Sequence, residues 1–206
     1  MNLQEWCAVA HVDISPRTSL ELGQRLMEEL VASAQGAICM SVLQQPDRAN
    51  HFEVIGRFVT EDAYLAHLAA VPNLTFREGI APTLGSPYED RLHGPRTSAP
   101  WPQATAGDFV ALTQIEVRPA ELGLAETLFD ELAAAQRNAE GLRGQVALQR
   151  RTRSNNLELI STWTSPEAFE AHFASASPER AALTPLLVAP IDDRRHHLLY
   201  GQWATD

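Results

Sequence analysis

Along Trp6 to Ile14 the residues Trp6, Ala8, Ala10, Val12 and Ile14 alternate with Cys7, Val9, His11 and Asp13. A period of two predicts a half-buried strand, and Pro16 ends it. Leu22, Leu26, Met27, Leu30 and Val31 then recur at helical spacing behind Thr18-x-x-Glu21, the pattern of a capping box. Gly36 closes that helix, Ala37 to Gln44 is rich in strand formers, and Pro46 to Asn50 supplies a turn into a strand from His51 to Val59. Thr60 is the expected cap of a second helix, with Glu61 and Asp62 where the helix dipole favours negative charge. A shorter helical piece around Phe76 to Leu84 and a strand near Tyr88 to Leu92 complete the order β-α-β-β-α-β.

The second half replays this order. It predicts strands at Phe109 to Val117, Leu142 to Arg150, Asn156 to Thr164 and Ile191 to Tyr200, with helices at Glu121 to Ala139 and Pro166 to Ser175. Ser165 is the expected cap of the second of these, and Pro166 takes the first helical position, where its missing N–H costs nothing. Matching residues keep their order at a spacing of 102 to 105: Leu26 with Leu128, Gly36 with Gly141, Glu53 with Glu158, Phe58 with Trp163, His67 with His172, and Asp90-Arg91 with Asp193-Arg194. Chance similarity does not preserve both order and spacing, so the chain reads as a tandem duplication. The expected organisation is a first domain at 1–92, a linker at 93–107 holding Pro95, Pro100 and Pro102, and a second domain at 108–206.

Each β-α-β-β-α-β unit predicts a ferredoxin-like, α+β fold with both helices on one face of an antiparallel sheet. The bare faces also need cover. Packing them together gives an intrachain, dimer-like α+β barrel flanked by helices. The first and second strands of such a sheet are not neighbours, so Cys7 and Cys39 are expected to stay unpaired thiols. The stretch Leu198 to Trp203 exceeds its first-half counterpart and is expected either to mediate further association or to extend an edge strand.

Composition narrows the classes of function. Hydrophobic residues at 45% and charged residues at 20% supply material for a core. A formal charge of −10 opposes a general field for nucleic acid or acidic membrane, and Arg150-Arg151-Thr152-Arg153 reads as a solvated hairpin tip. No stretch reaches the roughly 18 apolar residues a membrane span needs. The expectation is a cytoplasmic protein with no nucleic-acid or membrane partner, a small molecule as substrate or ligand, and homo-oligomerisation left open. Dinucleotide, phosphate-loop, nucleophile-elbow and zincin motifs do not occur. His196 and His197 are adjacent on a predicted strand and point to opposite faces, which disfavours joint chelation. No cofactor and no metal are expected.

The conspicuous side chains lie in the second half. Trp163 shares a strand face with Leu157, Leu159 and Ser161, while His172 lies beside Phe169 and Phe173 on the following helix. If that strand face meets the helices, Trp163 is a wall and N–H donor and His172 a proton shuttle, with Phe169, Phe173 and Leu159 contacting a substrate. Packing alone is the competing role for the same residues. Phe58 replaces Trp163 in the first half and lacks the N–H, so any active pocket is expected in the second. Gln114 and His11 face the same way on the paired first strands, as pocket polar groups or as solvent-facing side chains.

These residues carry a resemblance. Glu140-Gly141-Leu142 after a long helix, Leu157 to Trp163, Ser165-Pro166-Glu167-Ala168-Phe169, and His172 nine positions after Trp163 resemble the antibiotic biosynthesis monooxygenase (ABM) domain of the dimeric α+β barrel superfamily. A weaker copy covers the first half. The resemblance implies oxygen insertion into phenolic, quinol-like or polyketide-like substrates without metal or flavin. Haem-degrading relatives are a poorer match, because they place a tryptophan at the position of His172 and an axial histidine where this chain has Ala182 and Arg77. The alternative is a non-catalytic barrel that binds a small ligand or serves assembly.

Overall fold

A computed structural model describes residues 5–97, 100–174 and 177–203. The first half runs β1 (Trp6–Asp13), α1 (Leu20–Ala32), β2 (Ala37–Gln44), β3 (His51–Phe58), α2 (Glu61–Ala69), α3 (Val71–Ile80) and β4 (Asp90–Pro95). The second runs β5 (Phe109–Glu116), α4 (Leu122–Gln136), β6 (Leu142–Arg150), β7 (Asn156–Trp163), α5 (Pro166–Ala174), α6 (Pro178–Leu183) and β8 (Asp192–Gly201). The strands close into one barrel in the order β1-β3-β2-β8-β5-β7-β6-β4, with β4 returning to β1. Each half therefore keeps the ferredoxin-like order β4-β1-β3-β2 or β8-β5-β7-β6. The halves join where β2 meets β8 and β4 meets β6. The chain is an intrachain α+β barrel built from two repeats.

The central strands β3 and β7 are buried along almost their whole length, because helices cover one face and the barrel interior the other. Outside the barrel, Met27, Leu30, Phe76 and Ile80 pack on Val12, Phe52 and Val54. In the second half Phe129, Leu132 and Leu183 cover Leu157 and Leu159. Inside, Val9, Leu43, Ile55, Leu112, Leu148 and Ile160 meet across the axis. Eight strands leave a bore that side chains can fill.

One end of that bore is closed by residues from outside the regular strands. Trp101, in the connection between halves, and Trp203, beyond β8, are buried in the barrel cluster with ring centroids 6.1 Å apart. Trp203 Nε1 donates to Ser41 Oγ at 2.7 Å. The Arg57 guanidinium lies 4.6 Å over the Trp101 ring and bonds Glu5 at 3.0 Å. The stretch after Leu198 thus continues β8 to Gly201 and then turns inward, burying Trp203.

Several boundaries differ from expectation. Ser19, not Thr18, caps α1: its Oγ accepts from Leu22 N at 3.2 Å, while Thr18 donates to the Ser15 and Thr83 carbonyls. Thr60 and Ser165 cap as expected, accepting from Ala63 N and Ala168 N at 3.2 Å. The helical piece placed around Phe76 to Leu84 begins earlier, at Val71, because Pro72 sits in a first turn that needs no N–H from it. It ends in a 3-10 turn at Ala81–Thr83. The strand placed near Tyr88 to Leu92 is shifted to Asp90–Pro95, since its pairing with β6 continues to Pro95. Helix α6 is additional. Gly36 and Gly141 hold φ of 76° and 82° at equivalent helix-to-strand turns, and a Cβ on Gly141 would stand 2.6 Å from that of Ala168. Neither Cys7 nor Cys39 is in a disulfide, and the two flank Arg57 on the strands either side of it.

Candidate functional site

The expected strand face does meet the helices. Trp163, at the end of β7, is buried and donates from Nε1 to Ser161 Oγ at 2.9 Å. Helix α5 presents Phe169, His172 and Phe173 to it, since residues three and four apart share a helix face. Ring centroids lie 5.7 Å from Trp163 to Phe169, 5.4 Å to His172 and 6.5 Å to Phe173, with Phe169 and Phe173 4.3 Å apart. Arg180 stacks over Phe173 at 4.5 Å and pairs with Asp193. Burial, then Arg180, lowers the pKa of His172, so its imidazole is neutral at neutral pH. Leu159 lies further along the same sheet face in the neighbouring apolar cluster. Gln114 is on the opposite side of the sheet, inside the barrel.

The first-half counterpart has its own polar partners. His67 is buried, its Nε2 accepting from Asn73 Nδ2 at 2.7 Å, and Asn73 Oδ1 accepts from Arg77 Nε at 2.7 Å. Phe58 lies 5.2 Å from His67, and Tyr64 donates to Asp90 at 3.0 Å.

A second constellation occupies the barrel end opposite the two tryptophans. Glu53 and Glu158 are buried and point inward from β3 and β7, each faced by the last strand of the other half. Glu53 accepts from His11 at 3.1 Å and from Arg194 at 2.8 Å, and Arg194 also holds Asp192 at 2.8 Å. Burial pushes the Glu53 carboxyl up, but His11, His196 and Arg194 together hold it below its ordinary value. Glu158 has Gln114 in the register position where Glu53 has His11. Burial, and next the Glu53 charge, push Glu158 up to about 8 against the opposing Arg194 and Arg91.

Beside Glu158, His93 donates from Nδ1 to the Arg91 carbonyl at 2.8 Å, which leaves Nε2 as an acceptor 3.3 Å from Glu158 Oε2. Burial brings His93 down to about 4. At neutral pH the pair is therefore a protonated carboxyl facing a neutral imidazole, not an ion pair. A cavity of about 290 Å³ opens here, lined by Arg91, His93, Gln114, Leu157, Glu158 and Asp192 among others. Sequence reasoning matched Glu53 to Glu158 but assigned them no role. The available signal was one acidic residue set among strand-forming apolar neighbours in both copies, Phe52-Glu53-Val54-Ile55 and Leu157-Glu158-Leu159-Ile160. Among the described residues no group of three or more histidines, cysteines or carboxylates is arranged to hold a metal ion. No described helix is long and apolar enough to cross a membrane.

Residues 108–182 match the profile of a family described as antibiotic biosynthesis monooxygenase. The second half thus matches an ABM domain. The matched span carries Trp163, His172 and both phenylalanines of the aromatic cluster. Solved structures extend the likeness of fold to both halves of the chain. A Fusobacterium nucleatum protein provisionally named a monooxygenase superposes with a TM-score of 0.79 at 12% identity, covering 100% of this chain and 97% of its own. An anthrone oxidase-like protein gives 0.72 at 14%, covering 98% and 93%. A major regulator of staphylococcal pathogenesis gives 0.63 at 9%, covering 95% and 99%. At such identities the likeness is one of fold. No curated protein matches the chain.

Proposed function

We propose that the ABM half is a cofactor-independent monooxygenase acting on a small aromatic, quinol or polyketide-like substrate beside Trp163 and His172. The observation that carries this reading is the convergence of Trp163, Phe169, Phe173 and a neutral His172 between β7 and α5, within the span that matches the family. Flat apolar rings suit a flat apolar substrate, and a neutral imidazole accepts a proton. For a substrate with an acidic CH₂ next to an aromatic ketone, His172 takes one proton. The resulting anion reduces O₂ and forms a C–O bond. Cleavage of the O–O bond with loss of the second C–H leaves a ketone and one water, so CH₂ plus O₂ gives C=O plus H₂O with no outside reductant. The anthrone oxidase-like neighbour supports this choice of substrate class.

Oxygen consumption with anthrones and quinols tests the reading. His172→Ala should lower the rate by roughly 10²-fold or more, the usual range for removing a general base. Trp163→Phe should lower it less. Because His172 is held below its ordinary pKa, the wild-type rate should stay level through neutrality and fall only on the acidic side. Absence of substrate-dependent oxygen uptake across the panel would sink the proposal in favour of a barrel that binds a ligand without turning it over.

A further inference from the structure

The two buried glutamates are equivalent by position and unequal by chemistry. On the Glu53 side the circuit is closed: Arg194 spans Glu53 and Asp192, and His11 supplies a second bond. The equivalent arginine on the other side is Arg91, with Glu89 in the place of Asp192 and Glu158 in the place of Glu53. Neither pairing forms. Arg150 on β6, where the first half has Gln45, draws Glu89 to itself at 2.9 Å. Glu158 faces His93 instead, and burial keeps its carboxyl protonated at neutral pH. Among the described residues Arg91 has no side-chain hydrogen bond or ion pair, and it lines the cavity.

Glu158 is 3% exposed, and its Oε1 has no hydrogen-bond partner among the described residues. With the carboxyl proton directed from Oε2 to His93 Nε2, Oε1 is an acceptor awaiting a donor. The cavity thus offers an unpaired guanidinium fork and an unpaired buried acceptor in one space of about 290 Å³. Ile115, Leu157, Ala189 and Pro190 give it apolar wall, and Glu116 and Asp192 at the same lining offset the charges of Arg150 and Arg153. An unsatisfied buried acceptor is costly and a guanidinium without a partner is open to an anion, and one molecule answers both if it carries a carboxylate and a hydroxyl.

We propose that this barrel-end cavity is a binding site for a small monoanionic hydroxy acid, whose carboxylate pairs with Arg91 and whose hydroxyl donates to Glu158 Oε1. The site is separate from the Trp163–His172 cluster, lying at the barrel end that holds Glu158. It does not depend on the oxygenase reading.

Calorimetric titration of the full chain with 3-hydroxybenzoate and 4-hydroxybenzoate, against benzoate and phenol, tests the site. The expected result is one site per chain for a hydroxybenzoate, with benzoate weaker for want of the hydroxyl and phenol weaker still for want of the charge. Arg91→Gln should weaken the hydroxybenzoate about tenfold or more, the scale of a lost charge-assisted pair. Glu158→Leu should reduce the hydroxybenzoate to the level of benzoate, while Glu158→Gln, which keeps an amide oxygen in place, should retain the preference. His172→Ala should bind as wild type, and circular dichroism should show every variant folded. The proposal fails if neither hydroxybenzoate binds, if benzoate binds as tightly, if inorganic phosphate binds in their place, or if binding survives Arg91→Gln. Loss of binding in His172→Ala also overturns it, by moving the ligand to the other cluster.

Discussion

Glu53 and Glu158 occupy the same place in two copies of one fold, yet one is an ionised member of a closed network and the other a protonated carboxyl on an open cavity. The difference comes from neighbours, not from the strands that carry them. His11 becomes Gln114, and Gln45 becomes Arg150, which diverts Glu89 from Arg91. A duplicated barrel can thus keep one copy of a polar network for stability and release the other. The two histidines also differ in their neighbours, His67 bonding Asn73 while the ring of His172 packs against Trp163 and Phe173.

The strongest test of this contrast is arginine removal. Arg194→Ala leaves Glu53 buried with His11 alone and should cost about 3 kcal/mol in urea unfolding, whereas Arg91→Ala should cost about 0.5 kcal/mol or less. Equal losses would mean that the two sides are not chemically distinct.

A pH series of thermal unfolding comes next. Glu158, raised to about 8 in the fold, binds its proton more tightly than the unfolded chain does. Its contribution is present at low pH and is lost as pH rises toward 8. His93 and His196, both lowered to about 4, act oppositely: below 6.5 the unfolded chain binds more protons, so stability falls as pH drops from 6.5 to 4. Stability should therefore peak near pH 6 to 7 and decline by roughly 2 kcal/mol toward pH 8. Glu158→Gln should flatten that alkaline decline, and an unchanged slope would show that Glu158 is ionised in the fold.

Histidine removal should cost less. His67→Ala strips a buried hydrogen bond and should destabilise by about 2 kcal/mol, while His172→Ala should cost about 1 kcal/mol or less and act mainly on turnover. Trp163→Phe, which loses the bond to Ser161 but keeps most of the ring packing, should likewise cost about 1 kcal/mol or below in the same unfolding assay. A loss above that of His67→Ala would make Trp163 chiefly a structural residue.

Much of this was legible along the chain. Period-two alternation gave β1, helical spacing gave α1, and the matched pairs from Leu26 with Leu128 to Asp90 with Asp193 gave the duplication, because local periodicity is written into local sequence. The aromatic cluster was also legible, since Trp163 ends a strand and Phe169, His172 and Phe173 share one helix face. Helix α6 and the shift of β4 were not, because six residues beginning at a proline carry too little periodicity and a strand's length is set by its partner. Thr18 and Ser19 both suit a cap, and only the bond from Leu22 separates them.

By itself, the sequence determined the element order and the repeat, including the match of Glu53 with Glu158, all of which follow from residue type and spacing. Tertiary structure decided which face of each strand turns inward. β3 and β7 are buried on both sides, so alternation cannot say which side is helix layer and which is barrel. Closure of the barrel then brings Arg194 to Glu53 from 141 residues away and leaves Arg91 facing an open cavity, through pairings that no local pattern encodes. The same closure sends Trp101 and Trp203 into the far end of the bore, because a barrel of this width must be filled.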